Sequence, residues 1–319
     1  MSELGSSLPD SKTVGDGRTV SERHLCMFST PRFNDLNMRS PSEYCCFDWW
    51  SDEANMGGTF AGVLSSGTLE VGYSATFGGP DFFGTTTTLG ITQAVESWLR
   101  RLDGERVDSI RVRLRPGYYG RDEVSTSFAL LNSGFRVESC DYSLAIPLGG
   151  LQSSEEYATM LPKAARKALR HSFSEPFSSH LADSYEDWSA AYEVIRENRS
   201  SKGYSLALNL DYIFRLRNLF PDRVRFLILR YDELPVAAAL IYTVLPGKDL
   251  VVYWGDSRHS LKRSPMNRLA YEVVSDSLAR RSTLLDLGSS SLRGVPNQGL
   301  IQFKQSVGGV SDLKLTLLR

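Results

Sequence analysis

At 319 residues the chain exceeds the usual single-domain size of roughly 100–150 residues and has room for two domains of similar size. Its 41% hydrophobic and 23% charged residues are those of an ordinary soluble globular protein. With 36 Lys and Arg against 37 Asp and Glu, the net charge of −1 excludes a protein whose whole surface grips nucleic acid, while a local basic site stays compatible with it.

The first 24 residues lack the apolar core of a signal peptide and read as a disordered tail. No apolar run approaches the roughly 20 residues that span a bilayer, so a cytoplasmic protein without a membrane span is expected. Cys26, Cys45, Cys46 and Cys140 are too irregularly spaced for a disulfide framework, and the four histidines do not fall at metal-ligand spacing with them. Reduced, mostly buried thiols and no metal follow. In CCFDWW, alternation would bury only one of Cys45 and Cys46, and no flanking basic residue lowers a thiol pKa.

Along the chain, residues 58–63 and 68–75 read as a hairpin across Ser65-Ser66-Gly67, followed by the loop Phe77-Gly78-Gly79-Pro80. A helix over 86–102 places Ile91, Ala94, Val95, Trp98, Leu99 and Leu102 on one face. A strand over 109–115, a short helix over 126–133 closed by Gly134, and a strand over 135–146 complete the first half. Tyr118 and Tyr119 follow Pro116-Gly117 at a strand end and are substrate-contact candidates, against the commoner packing role of such rings. Residues 155–172 are helical with Pro162 as a possible break and with the cations Lys163, Arg166, Lys167 and Arg170. That basic run is either a solvated face or a nucleic-acid contact. A helix over 185–199 buries Trp188, Ala191, Tyr192 and Ile195 and stops at NRSSKG.

The second half repeats the pattern. Strands over 224–230 and 235–244 form a hairpin, and a third strand covers 251–255. A helix over 265–280 carries Met266, Leu269, Ala270, Val273, Val274 and Leu278 on one face, with Ser264 as N-cap and Pro265 at the first position. A buried strand over 283–287, a short helix over 297–307 and a strand over 310–318 follow. Hairpin, loop, helix, strand, helix, strand is thus written twice, which predicts an α/β (α+β) chain of two domains, each a mixed β-sheet flanked by helices. Their expected extents are 25–150 and 204–319, with a helical connector over 151–203.

Three segments can carry chemistry. In SRHSLKRSPMN, a helix start with Arg258, Lys262, Arg263, Ser264 and Asn267 around it suits a pyrophosphate, although the segment lacks the glycines of a phosphate-cradling loop. In LDLGSSS, Asp286 stands where a strand leaves the sheet, placed to accept a proton or a hydrogen bond from a substrate, or to satisfy its own turn. In NQGLIQFKQSVGG, which starts at Asn297, residues Leu300, Phe303 and Val307 form the buried side of a short helix and leave Lys304 beside the seam, where a cation can stabilise a tetrahedral intermediate.

The stretches NRSSKG, LPVAAALIYTV, VVYWGDS, SPMNRLAYEVV, LDLGSSS and GLIQFKQSVGG, in that order over 198–309, resemble the FemAB-like group of GNAT-fold acyltransferases, whose members carry two tandem GNAT domains. The first half is similar mainly in element order, with FGG at 77–79. The resemblance implies transfer of an acyl or aminoacyl group to an amine, with Lys304 as activator and Asp286 in the cleft. Two departures matter. Gly288-Ser289-Ser290 stands where many relatives have Gly-Arg-Ser, so that an anionic-substrate contact is either missing or supplied by Arg293, with Asn297 nearby, and the donor loop lacks the form typical of acetyl-CoA users.

The expected reaction is N-acyl transfer from a thioester, acyl-CoA, to a primary amine of a sugar or peptide precursor for the cell envelope or a polysaccharide. Tyr253 or Asp286 would move the proton, and backbone N–H groups at the end of strand 251–255 would hold the oxyanion. Aminoacyl-tRNA as donor is the alternative within the same fold, and a non-catalytic ligand-binding scaffold is the alternative outside catalysis.

Overall fold

The computed structural model describes residues 22–40, 43–53, 55–103, 105–257 and 263–319. The expected N-terminal tail therefore lies outside the described residues up to position 21. In chain order the elements are α1 (Pro31–Asn37), β1 (Tyr44–Ser51), β2 (Met56–Ser65), β3 (Thr68–Val71), β4 (Asp81–Gly84), α2 (Thr88–Leu102), β5 (Ser109–Arg113), α3 (Arg121–Asn132) and β6 (Arg136–Pro147). Then come α4 (Ser154–Met160), α5 (Lys163–Ser172), β7 (Phe177–Leu181), α6 (Tyr185–Ser200), α7 (Leu210–Leu219), β8 (Val224–Tyr231), β9 (Leu234–Leu245) and β10 (Lys248–Asp256). The last are α8 (Pro265–Ala279), β11 (Leu284–Ser289), β12 (Ser291–Leu292), β13 (Val295–Pro296), α9 (Gln298–Ser306) and β14 (Val310–Leu318).

The chain forms two compact units. The first comprises Met1–Arg115, Gly120–Glu138 and Thr316–Arg319, and the second Pro116–Tyr119 and Ser139–Leu315.

In the first unit the strand order is β1-β2-β3-β5 and then the end of β14, with β4 also on β2. The 3.6-residue spacing of α2 buries Ile91, Ala94, Val95 and Trp98, and Trp98 stacks on Phe60 at 4.7 Å between ring centroids. Its N-cap is Thr87, whose hydroxyl accepts from Gly90 N–H. The CCFDWW segment is the edge strand β1, whose eight residues are all half-buried. Cys45 and Cys46 are therefore both half-buried, and only Cys26 of the four thiols is buried. Burial, with Asp48 adding to it, pushes the Cys46 thiol up to about 12, so it stays protonated at neutral pH. The helix expected over 126–133 begins earlier, at Arg121, because Asp122 and Glu123 fit a helix first turn and Glu123 is drawn inward by Arg115.

The Phe77-Gly78-Gly79-Pro80 loop is a close backbone approach. Gly78 N–H donates to Arg113 O at 2.8 Å, and a Cβ on Gly78 would collide with the backbone N of Gly72. Gly78→Ala is expected to destabilise by about 1–3 kcal/mol, because main chain cannot yield as a flexible side chain does; a denaturant midpoint equal to wild type would refute it.

In the second unit the order is β14-β6-β11-β10-β9-β8-β7, with β10 and β11 parallel. Leu169, Ala239, Ile241, Leu269, Val273, Leu285 and Val307 belong to one core, which α5 and α8 cover. On α6, Trp188 meets Phe226 of β8 at 5.0 Å. The stretch read as a helical connector holds α4 and α5, separated at Pro162, and also the strand β7 and the helix α6.

Candidate active site

The site is built where two parallel strands part. Pairing of β10 with β11 covers only Lys248–Leu250 against Leu284–Asp286, although β10 continues to Asp256 and β11 to Ser289. On its other side β10 stays paired with β9 and carries an irregularity between Val251 and Tyr253. Asp286 is the last residue of the parallel pairing, so its carboxyl stands at the fork. Beyond it the β11–β6 register shifts between Asp286 and Ser289. Gly288 takes φ 76° in that bulge, a conformation that disfavours side chains. Its N–H thereby turns back onto Asp286 Oδ1 at 2.7 Å.

Asp286 is 1% exposed, and three donors from its own chain surround it. Besides Gly288 N–H, the Tyr118 hydroxyl lies 2.8 Å from Oδ1 and the Tyr119 hydroxyl 2.9 Å from Oδ2. Tyr118 is also 3.0 Å from Ser143 Oγ on β6. A phenol has one proton, and the carboxylate is the stronger acceptor, so Ser143 donates to Tyr118 and Tyr118 donates to Asp286. Burial raises the Asp286 carboxyl above its usual range, opposed by these donors and by the Lys304 charge. Burial, with the Asp286 charge adding to it, raises Tyr118 well above an ordinary phenol.

Lys304 is 2% exposed. The expected pattern on α9 is inverted: Leu300 and Phe303 are half-buried, and the lysine is inside with Val307. Its Nζ donates to Gly288 O at 2.7 Å and Ser289 O at 3.0 Å, which fastens the bulge that aims Gly288 at Asp286. Burial pushes the ammonium down to about 7, with Asp286 acting the other way. Lys304 thus changes charge near neutrality while touching the frame of the site.

The remaining expected residues lie elsewhere. Tyr253 is half-buried on β10 with the Arg199 guanidinium 5.1 Å from its ring centre. Arg258 and Lys262 lie outside the described residues. Arg263 bonds Glu175 at 2.9 Å and stacks on Tyr231 at 4.2 Å. Ser264 precedes α8 in a left-handed conformation, φ 57°, and its side chain makes no capping bond, in contrast to the N-cap expected of it. Pro265 has no N–H, and the N–H groups of Asn267 and Arg268 both go to Ser264 O, so the first turn offers fewer donors to an anion than helix starts commonly do. Arg293 is exposed in the turn between β12 and β13, and Asn297 caps α9 by accepting from Leu300 N–H at 3.0 Å. A cavity of about 390 Å³ is lined by Tyr142, Ser291, Pro296, Gln298 and Ile301 among others, and neither Arg293 nor Asn297 lines it. Tyr142 and Ser143 alternate on β6, so this cavity opens on the face opposite the Tyr118–Asp286 pair.

Two contributors had weak sequence signals. Ser143 is one polar residue in a long strand, and nothing local marks it. Asn198, in the NRSSKG stretch, donates to both Asp256 O (2.7 Å) and Asp256 Oδ1 (2.9 Å) and so pins the free end of β10.

Solved structures share this architecture. FemX is similar over 93% of each chain with a TM-score of 0.69 and 9% identity. A conserved protein of unknown function from Bacteroides thetaiotaomicron is similar over 93% of this chain and 92% of its own, with a TM-score of 0.53 and 12% identity. The C-terminal domain of a putative lysylphosphatidylglycerol synthetase from Agrobacterium fabrum is similar over 90% of each chain, with a TM-score of 0.51 and 13% identity. The fold is a tandem GNAT-like one. No protein-family model and no curated sequence matches the chain. At these identities the likeness speaks for fold alone. Among the described residues no helix is long and apolar enough to cross a membrane, and no group of three His, Cys, Asp or Glu is placed to hold a metal.

Proposed function

We propose that the protein is an N-acyltransferase that moves an acyl group from a thioester donor of the acyl-CoA class to a primary amine on a sugar or peptide precursor. The observation that carries this reading is the fork between β10 and β11. A strand whose edge faces a gap offers backbone N–H and C=O groups in a row, which suits an extended acyl-carrying arm and the oxyanion formed on its carbonyl. Asp286 and the Tyr118 hydroxyl stand at the inner end of that gap, where an amine must be oriented and lose a proton. An amine with a pKa near 8 is already partly neutral, so orientation and charge stabilisation supply most of the rate. On this reading Asp286→Asn lowers kcat by about 10²–10⁴-fold.

A second donor, aminoacyl-tRNA, is favoured by two observations. Arg263 is engaged by Glu175 and Tyr231, and α5 presents Lys163, Arg166, Lys167 and Arg170 on its exposed face while Ala165 and Leu169 are buried. Calorimetric titration with acetyl-CoA, longer acyl-CoAs, free CoA and aminoacyl-tRNA separates them. Micromolar binding of an acyl-CoA supports the thioester reading. Binding of aminoacyl-tRNA that weakens steeply with salt and with Lys163→Glu/Lys167→Glu supports the second. Binding of neither removes the transferase reading in favour of a non-catalytic scaffold.

A further inference from the structure

Asp286 is the acid that any proton-transfer scheme for this site would invoke, yet it is sealed. It is 1% exposed, and Tyr118, Tyr119 and Gly288 occupy its carboxyl oxygens. Tyr118 is different. It is only half-buried, its hydroxyl bridges Asp286 Oδ1 and Ser143 Oγ, and its phenol oxygen keeps a lone pair for one further donor. Ser289 stands opposite Ser143 in the β11–β6 register. Paired residues of neighbouring strands carry their side chains on one face, so Ser289 Oγ lies on the face of Ser143 and Tyr118. That hydroxyl is buried and has no hydrogen-bond partner among the described residues.

We infer that Tyr118 is the group that meets the acceptor amine and that Asp286 acts through it as a positioning residue. The inference rests on the reading of this site as an N-acyltransferase centre. In the step itself the amine nitrogen bonds to the acyl carbonyl carbon, and the bond from that carbon to the donor's sulfur or oxygen breaks, its electron pair leaving with the donor. One N–H proton passes to the Tyr118 oxygen while the phenol's own proton passes to Asp286 Oδ1. Asp286 then returns that proton to the Tyr118 oxygen, which passes its own on to the departing thiolate or alkoxide, so the phenol and the carboxylate are both restored. Tyr118 never becomes a phenolate in this path, which agrees with a phenol held well above its ordinary pKa. Asp286, whose carboxyl burial makes easier to protonate, is matched to the receiving end.

The test needs no donor. Protein carrying ¹³C at the tyrosine Cζ is followed by NMR, with the Tyr118 signal assigned by its loss in Tyr118→Phe, at rising concentrations of ethanolamine. The expected result is a saturable shift of Tyr118 that tetramethylammonium, lacking an N–H, does not produce. In Asp286→Asn the Tyr118 titration should move to lower pH, because the neighbouring carboxylate holds it up. In Ser143→Ala it should move to higher pH, because a donor to the phenol oxygen is gone. An unmoved Tyr118 signal with ethanolamine, a shift confined to Tyr119, or a Tyr118 titration unchanged in both Asp286→Asn and Ser143→Ala would overturn the inference. Because ethanolamine is the only ligand added, failure of the donor titration leaves this result to stand or fall separately.

Discussion

Replacing Lys304 with Met should lower the unfolding free energy by about 2–5 kcal/mol near neutral pH, although the two side chains have similar length. The variant leaves the part-buried Gly288 O and Ser289 O without the ammonium that both accept from, and an unsatisfied acceptor costs up to about 1–3 kcal/mol each. The pH dependence has a definite sign. Burial depresses Lys304 to about 7 from an unfolded value of 10.5, so between those limits the unfolded chain binds more protons. The share of stability contributed by this group therefore rises with pH across that window, and methionine removes the rise. The raised Asp286 carboxyl works in the opposite direction, its share being complete below 3.8 and lost as pH rises through its folded pKa. Chemical denaturation of wild type and Lys304→Met across pH reads both quantities. A loss below about 1 kcal/mol would mean that the bulge does not depend on the lysine.

The second large effect lies in the first unit. Arg115 is 6% exposed and forms ion pairs with Asp81 and Glu123, and its guanidinium also donates to Pro80 O. Asp81 in turn accepts from Cys26 N–H at 3.2 Å. Arg115→Ala strands two buried carboxylates and should cost about 3–5 kcal/mol. Burial, opposed by Arg115, raises the Glu123 carboxyl to about 7 from 4.5. The native state therefore binds more protons in that window, and the share of stability from Glu123 is complete below 4.5 and lost as pH rises through about 7. Without its cation Glu123 is relieved by protonation, so the loss in Arg115→Ala should shrink as pH falls below about 7. An equal loss at low and high pH would show that the cost is lost packing and not stranded charge.

The long periodic helices were legible. Residues 265–280 were expected as a helix and α8 spans Pro265–Ala279, because six apolar residues at 3.6 spacing leave little choice of face. For 86–102 the helix α2 begins at Thr88, where Thr87 caps it. What escaped was short or irregular. The strand β7 reads Phe-Ser-Ser-His-Leu, too polar for strand alternation to show, and it exists because β8 offers an edge. The helix α7 is short and is announced mainly by Asn209, whose side chain caps it. The apolar CCFDWW run shows a strand but not its place at the sheet edge, which is why both of its cysteines are half-buried where alternation alone would bury one.

The site shows a similar division. Asp286 was legible because an acid before Gly-Ser-Ser-Ser marks a strand end. Its partnership with Tyr118 was not, since 168 residues separate them and no spacing rule links the two. Periodicity puts Lys304 at the seam, because it assigns the interior to apolar residues, whereas the side chain is buried. A lysine goes inside only where backbone acceptors wait, and the bulge at Gly288 that supplies them follows from the β6–β11 register, which local sequence does not encode.

On the proposed reading the fork between β10 and β11 is the seat of the acyl donor. Hydrogen–deuterium exchange with acetyl-CoA and, separately, with aminoacyl-tRNA tests that most directly. Slowed exchange at the amides of residues 251–256 and at Gly288, with whichever donor binds, is the predicted result. A donor that binds by calorimetry yet leaves those amides unchanged, or the failure of both donors to bind, would contradict it.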